Sequence, residues 1–120
     1  MEVTETDRTA IRFVIERQLQ AFQNGDAMGA FAFATPGIQR QFGSSENFMR
    51  MVQTAYPAVY RPRSVLFEDL IHMKEALTQP VLLLDPEGVL VRAIYLMEKQ
   101  PDATWRINGC YLVPVERKTI

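Results

Sequence analysis

A single cysteine and a single histidine stand in 120 residues, and each scarcity closes off a class of chemistry. Cys110 has no partner for an intrachain disulfide, which permits a reducing compartment. His72 and Cys110 together cannot supply the converging donors that a metal site needs. Charge of one sign is also missing: Lys+Arg 13 against Asp+Glu 14 gives a net charge of -1, and the only local basic cluster is Arg61-Pro62-Arg63. Binding to a phosphate backbone needs a clustered cationic face, so no nucleic-acid partner is expected. Apolar runs are short, Val81 to Leu84 being typical, and none approaches the length that spans a bilayer. The N-terminal MEVTETDR is acidic and polar, without the basic start and apolar stretch of a secretory leader. A cytoplasmic protein without membrane attachment is expected. There is no glycine-rich phosphate loop and no GxSxG elbow, so neither a nucleotide nor any other cofactor is expected.

What is present is apolar substance. The chain is 48% hydrophobic, enough to bury one core, and a single domain over 1–120 with its core from about 6 to 115 follows. Ile11, Val14, Ile15, Leu19 and Phe22 fall on one face of a first helix, with Arg12, Glu16, Arg17 and Gln20 opposite. Thr6 is the expected N-cap, Arg12 and Glu16 an i,i+4 pair, and Asn24-Gly25 the stop. Asp26 is placed to cap a short second helix, in which Gly29 and four alanines suit close backbone approach, and Pro36-Gly37 should end it. Gly37 to Gly43 reads as a turn anchored by Ile38 and Phe42. A third helix from Ser44 or Ser45 to Tyr56 should turn Phe48, Met51, Val52, Ala55 and Tyr56 inward.

From Ser64 the periodicity changes to alternation, broken by turns at Asp85-Pro86-Glu87-Gly88 and Pro101 to Thr104. The fold class expected is α+β: three N-terminal helices on a curved antiparallel sheet of about four strands. A type I turn with Gly88 in the left-handed conformation pairs Leu83 with Val91 and Val81 with Ala93. Placing Pro101 at the last apex sets Trp105 opposite Met97, Ile107 opposite Tyr95, Gly109 opposite Ala93 and Tyr111 opposite Val91. All odd-numbered residues of these strands then meet the helices, while Arg92, Ile94, Leu96, Arg106, Asn108 and Cys110 share the other face. Pro80 marks its strand as an edge or as bulged near that point.

No residue pattern selects a reaction. His72, among Leu70, Ile71 and Met73, reads as an ordinary strand histidine, Cys110 as a small buried hydrophobe, and Ser44-Ser45 as a helix cap. Proton transfer by a cavity carboxylate beside a tyrosine has raw material in Asp26, Glu68, Asp69 and Glu75 with Tyr56, Tyr60, Tyr95 and Tyr111. Asp26 is better explained as a cap, and adjacent Glu68 and Asp69 face opposite ways on a strand. Of the side chains that could line a pocket (Tyr60, His72, Arg92, Tyr95, Trp105, Asn108 and Tyr111), the ligand-binding candidates are Tyr60, Arg92, Asn108 and Tyr111. Arg92 and Asn108 lead, since a cation and an amide could hold a carboxylate or carbonyl.

Four segments taken together, AFAFATPGIQRQFG (30–43), ENFMRMV (46–52), YPAVYRP (56–62) and WRINGCYL (105–112), resemble the bacterial domain of unknown function 4864 family. Helices before a strongly curved sheet, with Gly25-Asp26 opening the second helix, also resemble the nuclear transport factor 2-like superfamily, which includes SnoaL and ketosteroid isomerase-like proteins. That resemblance implies a cone-shaped fold with a cavity between the concave sheet and the helices, used across the superfamily for isomerisation, dehydration, cyclisation or plain binding. It carries over no catalytic residue. The expected function is a non-catalytic pocket or interaction domain for an apolar or weakly acidic ligand or a protein partner. An isomerase or lyase using a cavity carboxylate and tyrosine is the alternative. The mixed apolar face bearing Ile94 and Leu96 suggests a homodimer through the outer side of the sheet.

Overall fold

Thr4, rather than Thr6, starts the chain's first helix, α1 (Glu5–Gln23), because Asp7 can answer it three residues on. The Thr4 hydroxyl accepts from the Asp7 backbone N–H at 3.1 Å, and the Asp7 carboxylate accepts from the Thr4 N–H at 3.1 Å. Thr6 lies inside the first turn and has no such reciprocal partner. The computed structural model describes residues 2–73 and 76–116.

Four further helices follow among the described residues: α2 (Ala27–Ala32), α3 (Pro36–Phe42), α4 (Ser45–Ala55) and α5 (Pro57–Tyr60). Gly25, at φ 69°, ends α1 in the left-handed conformation as expected. The Asp26 carboxylate accepts from the Gly29 N–H at 2.9 Å, and a β-carbon at position 29 would run into that carboxylate. The glycine therefore makes room for the cap, not for another helix. Pro36-Gly37 does not close α2, which has already stopped at Ala32; it opens α3, with Thr35 as cap and proline at the first position. The segment expected to be a turn is thus helical. Ser44 caps α4, which buries Phe48, Met49 and Val52 and packs the half-buried Met51 against the core, while Ala55 is exposed.

The sheet has five antiparallel strands: β1 (Ser64–Phe67), β2 (Ile71–Met73), β3 (Ala76–Leu84), β4 (Leu90–Lys99) and β5 (Trp105–Pro114). Both β1 and β2 pair with β3, one after the other, and the remaining order is β3-β4-β5. Their interruption lies opposite Pro80. Glu68, Asp69 and Leu70 there face only Gln79 and Pro80, since Phe67 pairs with Val81 and Ile71 with Thr78. The bulge expected at Pro80 thus falls on its neighbour. The buried Gln79 side chain bridges the gap, its amide donating to the Glu68 carbonyl at 2.6 Å and the Pro80 carbonyl at 2.8 Å.

The β3–β4 register is as expected, Leu83 opposite Val91 and Val81 opposite Ala93, with Gly88 at φ 85°. The β4–β5 register is not. Trp105 opposes Lys99 and Ile107 opposes Met97; beyond a bulge, Gly109 opposes Leu96, Cys110 opposes Tyr95 and Tyr111 opposes Ile94. The turn closes one residue further along than Pro101, through Gln100 N–H to Thr104 carbonyl at 2.8 Å. A two-residue shift keeps each side chain on its face, but the extra residue at Asn108 reverses the alternation. Trp105 and Ile107 point into the core, and so do Cys110 and Leu112, while Tyr111 turns out.

What fixes the bulge is the α2–α3 junction. The Thr35 N–H donates to the Ile107 carbonyl at 3.0 Å, the Ile107 N–H to the Phe33 carbonyl at 2.8 Å, and the Thr35 hydroxyl to Asn108 Oδ1 at 2.7 Å. The junction so covers part of the free edge of β5. At the start of β5, two residues before Ile107, the Trp105 indole N–H donates to Asp7 at 3.2 Å, tying the sheet to the start of α1.

Ala103 occupies the left-handed position of the last turn at φ 71°. For a residue with a β-carbon this costs about 1–2 kcal/mol, partly offset in glycine by its freer unfolded chain, worth about 0.4–1 kcal/mol. Ala103→Gly is therefore expected to stabilise the fold by about 0.5–1 kcal/mol, read as a higher urea midpoint at unchanged slope.

Candidate functional site

Helices and sheet do not close completely on each other. Between them lies a cavity of about 310 Å³, walled by Gln18 and Phe22 of α1, Ile38 and Phe42 of α3, Phe48, Met51 and Val52 of α4, and Tyr95, Ile107 and Cys110 of the sheet. Its local causes are legible one by one. Gln18 lies one turn from both Val14 and Phe22, so it shares their buried face, and its amide donates to the Ala30 carbonyl at 3.0 Å. Phe48 stands at the centre of an aromatic group, 5.9 Å from Phe22, 5.4 Å from Phe31 and 5.5 Å from Phe42 by ring centroid. Cys110 is brought to the wall by the β5 bulge.

The wall is mainly apolar, and among the described residues no Asp, Glu, Lys, Arg or His lines it. The Tyr56 hydroxyl is committed to the Cys110 carbonyl at 3.2 Å. Tyr95 is buried at 1% exposure, and its hydroxyl has no hydrogen-bond partner among the described residues. The Cys110 thiol, on the residue directly opposite, is near enough to perturb it, but the pair does not satisfy hydrogen-bond geometry. Burial raises the Tyr95 pKa well above its ordinary value, with the Cys110 thiol adding to the effect. Burial likewise pushes the Cys110 thiol up to about 12, so both groups stay neutral at neutral pH. A second hollow of about 820 Å³ is a more open groove between α1 and the last turn, lined by Phe13, Phe33, Trp105 and the charged Glu5 and Arg106. Its openness makes it a poorer ligand site than the smaller interior one.

The model of the family described as Domain of unknown function (DUF4864) matches residues 4–120. The chain belongs to that family. No curated protein and no solved structure matches it.

None of the four ligand-binding candidates lines either hollow of this DUF4864 chain. Tyr60 packs on Phe22 at 6.4 Å, and its hydroxyl accepts from the Gln53 amide at 3.0 Å; that bond, helped by Arg61, holds its pKa below the usual tyrosine value. Arg92 faces away from the helices and grips Glu68 with two bonds, 2.7 Å and 3.0 Å. Asn108 is the bulge residue bonded to Thr35. Tyr111, 39% exposed, lies on the outer face across from Ile94. Arg92 and Asn108 do not meet: Arg92 pairs with Val113, four positions along β4 from the bulge. Of the other pocket candidates, His72 is exposed on β2, Trp105 borders the open groove, and Tyr95 alone reaches the interior cavity. The residues missed from sequence were Gln18 and Cys110, for which the signals were the i,i+4 spacing with Phe22 and the glycine inside β5 that marks a bulge.

Among the carboxylates, Asp26 is a cap, Asp69 is exposed, Glu68 is held by Arg92, and Glu75 lies outside the described residues. No group of three His, Cys, Asp or Glu side chains among the described residues could hold a metal ion. No helix there is long and apolar enough to cross a membrane. Asp7 is held below the usual carboxylate range chiefly by its backbone bond with Thr4, and Glu68 chiefly by its bond from Arg92. Both are depressed in the folded state, so the stability they contribute is complete above the unfolded carboxylate pKa of about 4 and is lost as pH falls through the lower folded values. The melting temperature is expected to fall as pH is lowered below about 4. Asp7→Asn should flatten that slope, measured by circular dichroism across the range.

Proposed function

We propose that this DUF4864 domain is a non-catalytic binding module of the nuclear transport factor 2-like kind, holding a small apolar molecule between its helices and its sheet. One observation carries the reading: the interior cavity of about 310 Å³ has a mainly apolar wall, with no charged side chain among the described residues, made jointly by four helices and two strands. That volume is at the small end of the roughly 300–1,000 Å³ usual for ligand pockets, and equals about ten waters at liquid density. The order of helices before an antiparallel sheet supports the superfamily placement. A weakly acidic ligand finds no cation at the wall among the described residues, and Arg92, the expected one, already binds Glu68. Isomerase-type chemistry would need a carboxylate beside a tyrosine, and no carboxylate among the described residues lines the cavity. The domain works in the cytoplasm on this reading.

Native mass spectrometry of the protein purified from its own host tests it. A small-molecule adduct that exchanges with added butylbenzene is expected; a bare chain that also gives no chemical-shift response to butylbenzene would rule the reading out.

The partner on this reading is a second copy, docked through the outer face of the sheet. Leu66, Ile71, Met73 and Tyr111 are exposed there, and the Glu68–Arg92 pair beside them is already self-neutralising, so covering it buries no net charge. Sedimentation equilibrium at high micromolar concentration should give a dimer, and a Leu66→Glu variant a monomer.

A further inference from the structure

We infer that the interior cavity is made for an uncharged, mainly apolar molecule bearing one hydrogen-bond acceptor, which takes the proton of the Tyr95 hydroxyl. The inference rests on the cavity reading above and names the chemistry of its occupant.

Tyr95 is one of the most deeply buried large side chains, and its hydroxyl is the one buried side-chain polar atom without a partner among the described residues. Buried hydroxyls are normally paired, and leaving one unpaired costs about 1–3 kcal/mol. A phenylalanine would fill the same space without that cost, so the oxygen at this position points to a use. Of the other side-chain donors around the wall, Gln18 gives an amide proton to the Ala30 carbonyl and Tyr56 its hydroxyl proton to the Cys110 carbonyl, while the Gln41 amide belongs to an exposed residue that water reaches. Among the buried side chains of the described residues, Tyr95 alone has a proton left to give. Cys110, opposite it, offers a weak donor and a weaker acceptor, and the two do not bond. What the group lacks is an acceptor, and unpaired donors are rarer in folded proteins than under-used acceptors.

Charge decides between kinds of acceptor. A carboxylate would be the stronger partner in water, but here it would be desolvated against Phe22, Phe48 and Val52 with no cation among the described residues of the wall. An unpaired buried charge loses far more than one bond returns. A carbonyl or ether oxygen on an apolar body matches both the single donor and the apolar remainder.

Three probes of similar size separate the possibilities: butylbenzene, methyl phenylacetate and 3-phenylpropanoate, each titrated by NMR against the wild-type chain, Tyr95→Phe and Cys110→Ser. The Phe variant should melt no lower than wild type, since it removes a hydroxyl that has no partner. It should weaken methyl phenylacetate by about threefold to tenfold, the equivalent of one ordinary hydrogen bond, and leave butylbenzene within about twofold. Cys110→Ser provides an internal acceptor for the Tyr95 proton and should reduce the ester's affinity in the same selective way. The carboxylate should bind most weakly to all three chains. Equal effects of Tyr95→Phe on ester and hydrocarbon, or a carboxylate that binds as well as the ester, would overturn the inference while leaving the cavity reading intact. If none of the probes binds the wild-type chain, both fall together.

Discussion

Truncating Phe22 to alanine is expected to cost the fold about 3–5 kcal/mol, as for other buried aromatic side chains. Phe22 is 1% exposed and touches both aromatic neighbours of its layer, Phe48 at 5.9 Å and Tyr60 at 6.4 Å. Domains of this size hold about 5–15 kcal/mol in total, so the variant should sit near the edge of folding at 25 °C. The consequence specific to this chain is that Phe22 also lines the cavity, so the space it vacates joins a hollow that already exists. An apolar ligand should therefore rescue the variant more than it helps the wild type. Butylbenzene at one hundred times its dissociation constant would restore about 2.7 kcal/mol. Urea unfolding with and without the ligand measures both quantities. A cost below about 1 kcal/mol, or no ligand response, would mean that the ring is not packed between helix and sheet as described.

The fold was legible where the determinant lay within a few residues of its effect. The face of α1, the Asp26 and Ser44 caps, and the turn at Asp85 to Gly88 depend on near neighbours, and the structure has them as expected. Pro36-Gly37 misled because proline starts a helix as readily as it stops one; the choice is made by the Thr35 hydroxyl, which accepts from the Ile38 N–H. The last register was illegible for a different reason. Nothing local requires an extra residue at Asn108; the bonds from Thr35, 73 residues away, hold it there.

The candidate site was less legible than the fold for the same reason. Arg92 and Asn108 are the residue types that hold a carbonyl or carboxylate, but partners distant in sequence satisfy both of them, Glu68 for one and Thr35 for the other. Composition could not show which polar groups would be left over. The group left over is Tyr95, which looked like one core tyrosine among four. The bulge then exchanged Tyr111 for Cys110 at the wall.

Gln79→Leu is expected to cost about 2–4 kcal/mol, although it exchanges a polar core side chain for an apolar one of similar size. The reason is the proline beside it. A strand residue points its N–H and its C=O to the same neighbour, and the Pro80 carbonyl accepts from the Glu68 N–H at 3.1 Å, so the N–H that proline lacks would also have faced the break between β1 and β2. The Gln79 amide supplies the missing donor from the side, reaching the carbonyls of Glu68 and Pro80 together from a position 4% exposed. Leucine leaves the Glu68 carbonyl without a donor in a half-closed part of the sheet. The coupling is testable because the backbone can take over the task. Pro80→Val restores an N–H pointing into the gap, so Gln79→Leu should cost less in that background by about 1 kcal/mol or more, the size usual for residues that share a hydrogen-bond network. A double-mutant cycle in urea gives the value. Strict additivity would show that Gln79 is held in the core by packing and that the break beside Pro80 is tolerated without it.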